Sequence, residues 1–164
     1  MFWNAVTAFA TSIYTVLVAV TFYFIWRQLK EMNSTRKREA TLVVFRELQA
    51  REARDARRYI YTTVPMEIEG IGDDELQTHL ERSEEALVSL DRVGFLVGEE
   101  HVDSDPLMET VWAMVWRCWR KSEVLIRWTR GKRNDPTYLN RFEYLFEVSE
   151  EFRLINGYEE PQIY

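Results

Sequence analysis

A run of 25 residues without a charged side chain opens this sequence, from Phe2 to Trp26, and Arg27 ends it. As a helix rising about 1.5 Å per residue, the run is about 37 Å long, more than the roughly 30 Å of a bilayer's hydrocarbon core. A cleaved signal peptide requires small residues before its cleavage site, but residues 22–26 are bulky. A buried helix that is apolar on every face requires a larger protein around it. The sequence therefore predicts a transmembrane anchor over residues 1–26.

Basic residues on one side of the run predict its orientation. Positive charge is retained in the cytoplasm, so the N-terminus is expected outside and the rest of the chain in the cytosol. Anionic lipid head groups attract basic residues that follow a membrane span. The candidates for such contacts are Arg27, Lys30, Arg36, Lys37 and Arg38.

Small and hydroxylated residues form a stripe within the run. Such residues allow helices to approach closely, which favours contact with another span. Alternatively, each hydroxyl bonds the carbonyl four residues earlier and the stripe faces lipid. The expected partners are thus membrane lipid and either an integral membrane protein or a second copy of the chain. The contact candidates are Thr7, Ala8, Thr11, Ser12 and Thr15.

Charge is distributed unevenly over the remaining 138 residues. Residues 27–58 carry 10 Lys/Arg and 5 Asp/Glu, a net charge of +5, whereas residues 59–164 carry 11 and 22, a net charge of −11. We expect residues 27–62 to form a basic stalk and the first cytosolic helix, and residues 63–164 to complete a helical bundle. The acidic balance of this larger part disfavours nucleic acid as a partner.

Helix start and stop signals divide the larger part into three units. After a loop over 64–72, Asp73 or Asp74 can cap a helix that Gly98 ends. Ser104-Asp105-Pro106 predicts the start of a second helix that ends at Gly131. Asn134-Asp135-Pro136 predicts the start of a third helix that reaches Ile155. The predicted fold is all-α, with one transmembrane helix that continues into a bundle of about four helices.

Tryptophan and basic residues alternate over 111–133. Aromatic side chains among arginines can stack on nucleic acid, but Trp112, Trp116 and Trp119 have the spacing of a buried helix face, and core packing is the preferred interpretation. The basic rim can still receive an acidic partner. The partner-surface candidates are Arg117, Arg120, Arg127, Trp128 and Arg130.

No catalytic, cofactor or metal site is predicted. Neither histidine, His79 or His101, has a Glu three residues before it, as helical di-iron sites require, and both are expected to be exposed. Phosphate-binding glycine loops and hydrolase motifs are missing from the sequence. The single cysteine, Cys118, is expected to be a buried and inert thiol. One hypothesis for the function is nevertheless a membrane-tethered enzyme that uses Cys118.

Four segments carry a resemblance to a known family: residues 22–29 (FYFIWRQL), 90–98 (LDRVGFLVG), 117–119 (RCW) and 135–139 (DPTYL). With these segments the chain resembles a family of small bacterial membrane-anchored proteins that is defined as a domain of unknown function. The resemblance implies a single N-terminal span at the inner membrane and a helical cytosolic domain. It implies no catalytic residues.

Besides the enzyme that uses Cys118, two functions remain open from the sequence. The first is a non-enzymatic, bitopic membrane protein that acts as an interaction module or as an accessory subunit of a larger membrane protein complex. The alternative is a membrane-anchored sensor or effector, in stress response or defence, that binds a small ligand or partner through its helical domain. A polar pocket inside the bundle would favour the alternative.

Overall fold

A computed structural model describes the backbone of residues 2–163 and the side chains of residues 14–32 and 35–163. It is about 80% helical and has no strand among the described residues. The five helices are α1 (Phe2–Leu48), α2 (Arg51–Thr63), α3 (Asp73–Gly98), α4 (Ser104–Arg133) and α5 (Asn140–Ile155).

The chain divides into two compact units, residues 1–38 and residues 39–164. In the first unit, which lies within helix α1, every side chain described over 14–32 is exposed. Arg27 Nε and Glu31 Oε1 form an exposed ion pair at 3.1 Å, one turn apart on the helix. The first unit therefore has helical structure but no buried core among its described residues.

The predicted transmembrane anchor is wrong: among the described residues, no helix is long and apolar enough to cross a membrane. The side chains of the uncharged stretch are described from Tyr14 to Trp26. Arg27, Lys30 and Glu31 then follow in the same helix. The single-pass topology, the inner-membrane localisation and the lipid contacts predicted from this anchor lose their support with it.

The second unit contains the end of α1 and helices α2–α5, and it is consistent with a helical bundle. Helix α5 packs against α3 and α4, and α2 packs against the same two helices. Burial of one large aliphatic or aromatic side chain contributes about 1.5–3 kcal/mol. Every one of these elements supplies such side chains to one continuous core, among them Val44, Leu48, Ile60, Leu80, Leu87, Leu90, Val115, Leu125, Phe142 and Leu145.

The close approach of α3 and α5 determines where α5 begins. A Cβ atom at Gly94 would overlap the carbonyl oxygen of Arg141, so only glycine allows this backbone contact. One turn earlier on α3, Asp91 Oδ1 accepts a hydrogen bond from the Phe142 N–H at 2.9 Å and satisfies one of the free donors of the α5 N-terminus. Helix α5 therefore starts at Asn140, later than the predicted start near Asp135.

Local signals account for the limits of the other helices. The limits of α3 and the start of α4 agree with the prediction, but the predicted side-chain caps are wrong: the N-cap residues are Gly72 and Asp103, neither of which makes a side-chain cap hydrogen bond. Helix α4 continues past Gly131 to Arg133, because Asn134 rather than glycine adopts the left-handed conformation that ends it, at φ 51°. A short turn at residues 49–50 separates α1 from α2, so the predicted stalk of 27–62 contains parts of two helices.

Candidate functional site

The predicted partner-surface residues on α4 are divided among three places. Arg120 and Arg127 are exposed and share one side of the helix. The Arg120 guanidinium lies 5.3 Å from the ring centroid of Trp116, and Arg127 Nη2 pairs with Glu123 at 2.6 Å. These two arginines are the part of the predicted surface that faces solvent.

Arg130 and Trp128 have structural contacts. Arg130 Nε donates to the Tyr138 carbonyl at 2.9 Å, and its Nη1 pairs with Glu143 at 2.7 Å, which holds α4 against α5. Trp128 packs against the core, and Lys132 Nζ lies 4.5 Å from its ring centroid. The fifth candidate, Arg117, lies elsewhere, in a small cavity.

This cavity, of about 70 Å³, is here called the basic pocket, and it is lined by Tyr61, Arg117, Lys121, Gln162 and Ile163. Tyr61 comes from α2, and Arg117 and Lys121 come from successive turns of α4. Gln162 and Ile163 belong to the segment that follows α5. The pocket thus combines an aromatic ring, an aliphatic side chain and the side chains of two cationic residues, and its wall is almost entirely apolar.

A cysteine–tyrosine pair lies beside the basic pocket. The Cys118 thiol donates a hydrogen bond to the Tyr61 hydroxyl at 3.2 Å, and Cys118 is completely buried. Burial raises the pKa of Cys118 to about 11 and raises the pKa of Tyr61 above its ordinary range, while Arg57 and Arg117 act in the opposite direction on both groups. At neutral pH both groups are protonated, so the thiolate needed for nucleophilic chemistry is not present.

Arg57, one turn before Tyr61 on α2, is a buried cation that acts electrostatically on this pair. It is only 7% exposed, and its Nη2 donates to the Leu48 carbonyl at 2.6 Å, at the C-terminal end of α1. Its Nη1 is buried without a hydrogen-bond partner, as is Nε of Arg117. A buried donor without a partner loses its hydration and gains nothing in exchange.

The segment after α5 is held against α4 by aromatic and polar contacts. The Tyr158 ring stacks on Trp112 with centroids 5.3 Å apart and an interplanar angle of 11°. Arg153 Nη1 donates to the Tyr158 carbonyl at 3.1 Å. These contacts direct the chain towards the basic pocket, where its later residues form one wall.

Glu150 connects the same segment to the tryptophan face of α4. It accepts hydrogen bonds from Arg153 Nη2 at 2.6 Å and from Trp116 Nε1 at 2.7 Å. The hydrogen bond from Arg153, followed by that from Trp116, lowers the pKa of the Glu150 carboxyl. This partly buried network fixes the position of Arg153 and so supports the contact with Tyr158.

The largest exposed apolar surface lies in the first unit. Of the predicted contact stripe, Thr15 is exposed, and the side chains of Thr7, Ala8, Thr11 and Ser12 lie outside the described residues. Large apolar side chains that are 46–72% exposed cover every face of the helix between residues 14 and 32. The twelve side chains of this apolar surface are Tyr14, Val16, Leu17, Val18, Val20, Phe22, Tyr23, Phe24, Ile25, Trp26, Leu29 and Met32.

The described residues contain no group of three or more His, Cys, Asp or Glu side chains that could hold a metal ion. His101 is exposed, as expected. The expectation that His79 is exposed is wrong, because α2 packs against α3 and covers it. The Tyr59 hydroxyl and His79 Nδ1 form a hydrogen bond at 2.8 Å across this contact.

Comparisons with protein-family models, with curated proteins and with solved structures each found no match. The family resemblance of the sequence therefore stays a prediction.

Sequence reasoning missed four of the five residues that line the basic pocket, Tyr61, Lys121, Gln162 and Ile163, and also the buried Arg57 of α2. Arg57 and Tyr61 are four residues apart, as are Arg117 and Lys121, so each pair lies on one side of its helix. This spacing was visible in the sequence. The contact between α2 and α4, which brings the two pairs together, was not.

Proposed function

We propose that this protein is a non-enzymatic interaction protein that acts as an accessory subunit of a larger protein complex. The exposed apolar surface of residues 14–32 would bind the partner. The observation that carries this proposal is the set of twelve large apolar side chains exposed on one helix. Monomeric proteins rarely expose a contiguous apolar patch of more than a few hundred Å², and larger patches mark interaction sites.

The distribution of the apolar side chains indicates the shape of the partner surface. A two-stranded coiled coil covers one stripe of each helix, but here apolar residues lie on all faces. A single partner helix would leave most of them in water. A groove between several helices can surround the apolar surface, so we expect a multi-helix partner.

Charge favours a different protein over further copies of this chain. Residues 59–164 carry a net charge of −11, and several copies gathered around one helix would bring these like charges together. The basic residues that follow the apolar surface, Arg27, Lys30 and Arg36–Arg38, suit a partner with acidic residues around its groove.

Co-purification from native cells with a C-terminal tag tests this proposal. In one variant, Leu17 and Val20, on one side of the helix, and Phe22, on the opposite side, are each changed to Gln, which retains helix propensity. In the control variant, the exposed α5 residues Leu154 and Ile155 are changed to Gln. We expect the wild type and the control to retain a stoichiometric partner, and the α1 variant to lose it with an unchanged melting temperature.

Three results would contradict the proposal. The tagged protein could be recovered as a free monomer, or only with copies of itself. The α1 variant could also keep the same partner in the same amount as the control. Any of these results would show that the apolar surface does not bind a different protein.

The alternative function, a sensor or effector that binds a small ligand through the helical domain, has an observation of its own. The basic pocket is a small cavity within the second unit, formed in part by Arg117 and Lys121, and its wall is almost entirely apolar. We therefore keep this alternative.

A further inference from the structure

We propose that a groove at one end of the bundle docks a basic segment of another protein. The groove, here called the acidic groove, has a volume of about 500 Å³ and is lined by residues within 104–109 of α4 and within 148–156 at the end of α5. All of these residues belong to the second unit. The inference is therefore independent of the accessory-subunit proposal.

Apolar side chains of both helices line part of the acidic groove. Met108 of α4 is buried. On α5, Val148 and Phe152 are half-buried, whereas Ile155 is 76% exposed. The spacing of these three α5 residues places them on one side of the helix. The apolar lining thus ends at an isoleucine in water, which an apolar side chain of a partner can cover.

Exposed carboxylates lie on both sides of the acidic groove. Asp105 and Glu109 come from α4, and Glu151 comes from α5. Asp105 and Glu109 are one turn apart, where like charges destabilise a helix. Glu151 lies near the C-terminal end of α5, where the helix dipole disfavours a negative charge. Positive charge placed in the groove would relieve both effects.

The chain supplies no cation to these three carboxylates. In the part of the chain that the structure describes, none of them has an ion pair, whereas Glu99, Glu143 and Glu150 are each paired with an arginine. Residues 93–116 contain five carboxylates and residues 142–152 contain four, and neither segment contains a Lys or Arg. Local conflicts of this kind are typical of functional sites, so we expect the positive charge to come from a partner.

The arrangement favours a protein segment over a metal ion. Within residues 14–32 and 35–163, no group of three His, Cys, Asp or Glu side chains could hold a metal ion, so the carboxylates of the groove do not converge on one cation. A segment with an apolar side chain between Lys or Arg residues contacts both the apolar lining and the carboxylates. Amphipathic helices bind grooves between helices in this way, and charge complementarity provides specificity.

Binding of fluorescent peptides to the purified full-length protein, measured by anisotropy, tests this inference. One peptide is an amphipathic helix of Leu and Lys, and a second has Ser in place of every Leu. We expect the Leu/Lys peptide to bind more tightly, with an affinity that falls as salt is added. The double variant Glu109→Gln/Glu151→Gln should weaken its binding about tenfold, and Ile155→Gln should weaken it about fivefold.

A matched control removes two charges elsewhere on the bundle. Glu81 and Glu85 are exposed and one turn apart on α3, so Glu81→Gln/Glu85→Gln changes the net charge equally and should retain the affinity. Ile155 is also changed in the control of the co-purification experiment, which should keep the partner of the first unit. The two proposals therefore fail separately.

The inference is overturned if the Leu/Lys peptide binds no more tightly than the Ser/Lys peptide, because the apolar lining then contributes nothing. It is also overturned if the α3 control weakens binding as much as the groove variant does. Self-association of the wild type in sedimentation experiments, lost in Glu109→Gln/Glu151→Gln, would assign the groove to a second copy of this chain and contradict a different basic partner.

Discussion

Phe24 and Phe142 lie on helices of the same chain, but Phe24 is 55% exposed and Phe142 is completely buried. Phe24 belongs to the first unit, where apolar residues occupy every face of the helix. Phe142 belongs to the second unit, where each helix has one apolar face and one polar face. Burial therefore follows from the spacing of the apolar residues and the availability of packing partners, and not from the apolar content of a segment.

This difference indicates how each unit is stabilised. Within the described residues, the first unit has contacts between neighbouring turns, such as the Arg27–Glu31 pair, and no buried side chain. The second unit has a core to which five helices contribute. Local contacts stabilise a helix weakly, and most helical stability in proteins comes from tertiary packing. A bound partner would therefore stabilise the first unit more than the second.

The largest difference in the free energy of unfolding is expected between the variants Phe142→Ala and Phe24→Ala. The first substitution leaves a cavity between α3, α4 and α5 and should lower the free energy of unfolding of the bundle by about 3–5 kcal/mol. The second removes an exposed side chain and should change it by less than about 0.5 kcal/mol. Urea unfolding followed by circular dichroism measures both. Equal effects would show that the two units share one core.

A second pair of variants tests close packing within the bundle. Gly94→Ala forces a Cβ atom into the carbonyl of Arg141 and should destabilise the protein by about 1–3 kcal/mol. Gly131→Ala, on α4, meets no atom within 4 Å and should stabilise it by about 0.5–1 kcal/mol. Opposite shifts in melting temperature are expected. A neutral Gly94→Ala would contradict the contact between α3 and α5.

A third comparison concerns two ion pairs. Glu150 bonds Arg153 and Trp116 in a partly buried network, so Glu150→Gln should cost about 1 kcal/mol at neutral pH. The exposed pair of the first unit is tested by Glu31→Gln, which should change the unfolding free energy by less than about 0.5 kcal/mol.

The pH dependence of Glu150 gives a further check on this comparison. Its pKa is lowered in the folded state, so its stabilisation is fully present above the ordinary carboxyl pKa of about 4.3. The stabilisation is lost as the pH falls through the lowered value. Melting temperatures measured over acidic pH should therefore fall less steeply for Glu150→Gln than for the wild type. Parallel curves would contradict the assigned pKa.

The smallest expected effect is at Cys118, which should not react with iodoacetamide in the folded protein. It is completely buried, and its pKa of about 11 leaves almost no thiolate at neutral pH. In the variant Leu17→Cys, the introduced cysteine of the first unit should react readily in the isolated protein and become protected in the complex. Mass spectrometry distinguishes the two sites. Modification of Cys118 without unfolding would show that the bundle opens at the basic pocket.

The helix boundaries that depend on neighbouring residues were predictable from the sequence. Asp73 and Asp74 with Gly98, and Ser104-Asp105-Pro106, act within one or two turns, and they locate α3 and the start of α4. The start of α5 was not predictable, because the Asp91–Phe142 hydrogen bond joins residues far apart in the chain. The same reason applies to the burial of His79 against Tyr59.

The sequence by itself determined an all-helical chain, the uneven distribution of charge and the uncharged run before Arg27, because these depend only on residue type and spacing. It did not determine a membrane span, since among the described residues no helix is long and apolar enough to be one. Only the tertiary structure decided that Tyr61 of α2 meets Arg117 and Lys121 of α4 at a cavity. The spacing within each helix places two residues on one side, but which helices face each other is decided by the packing of the whole core.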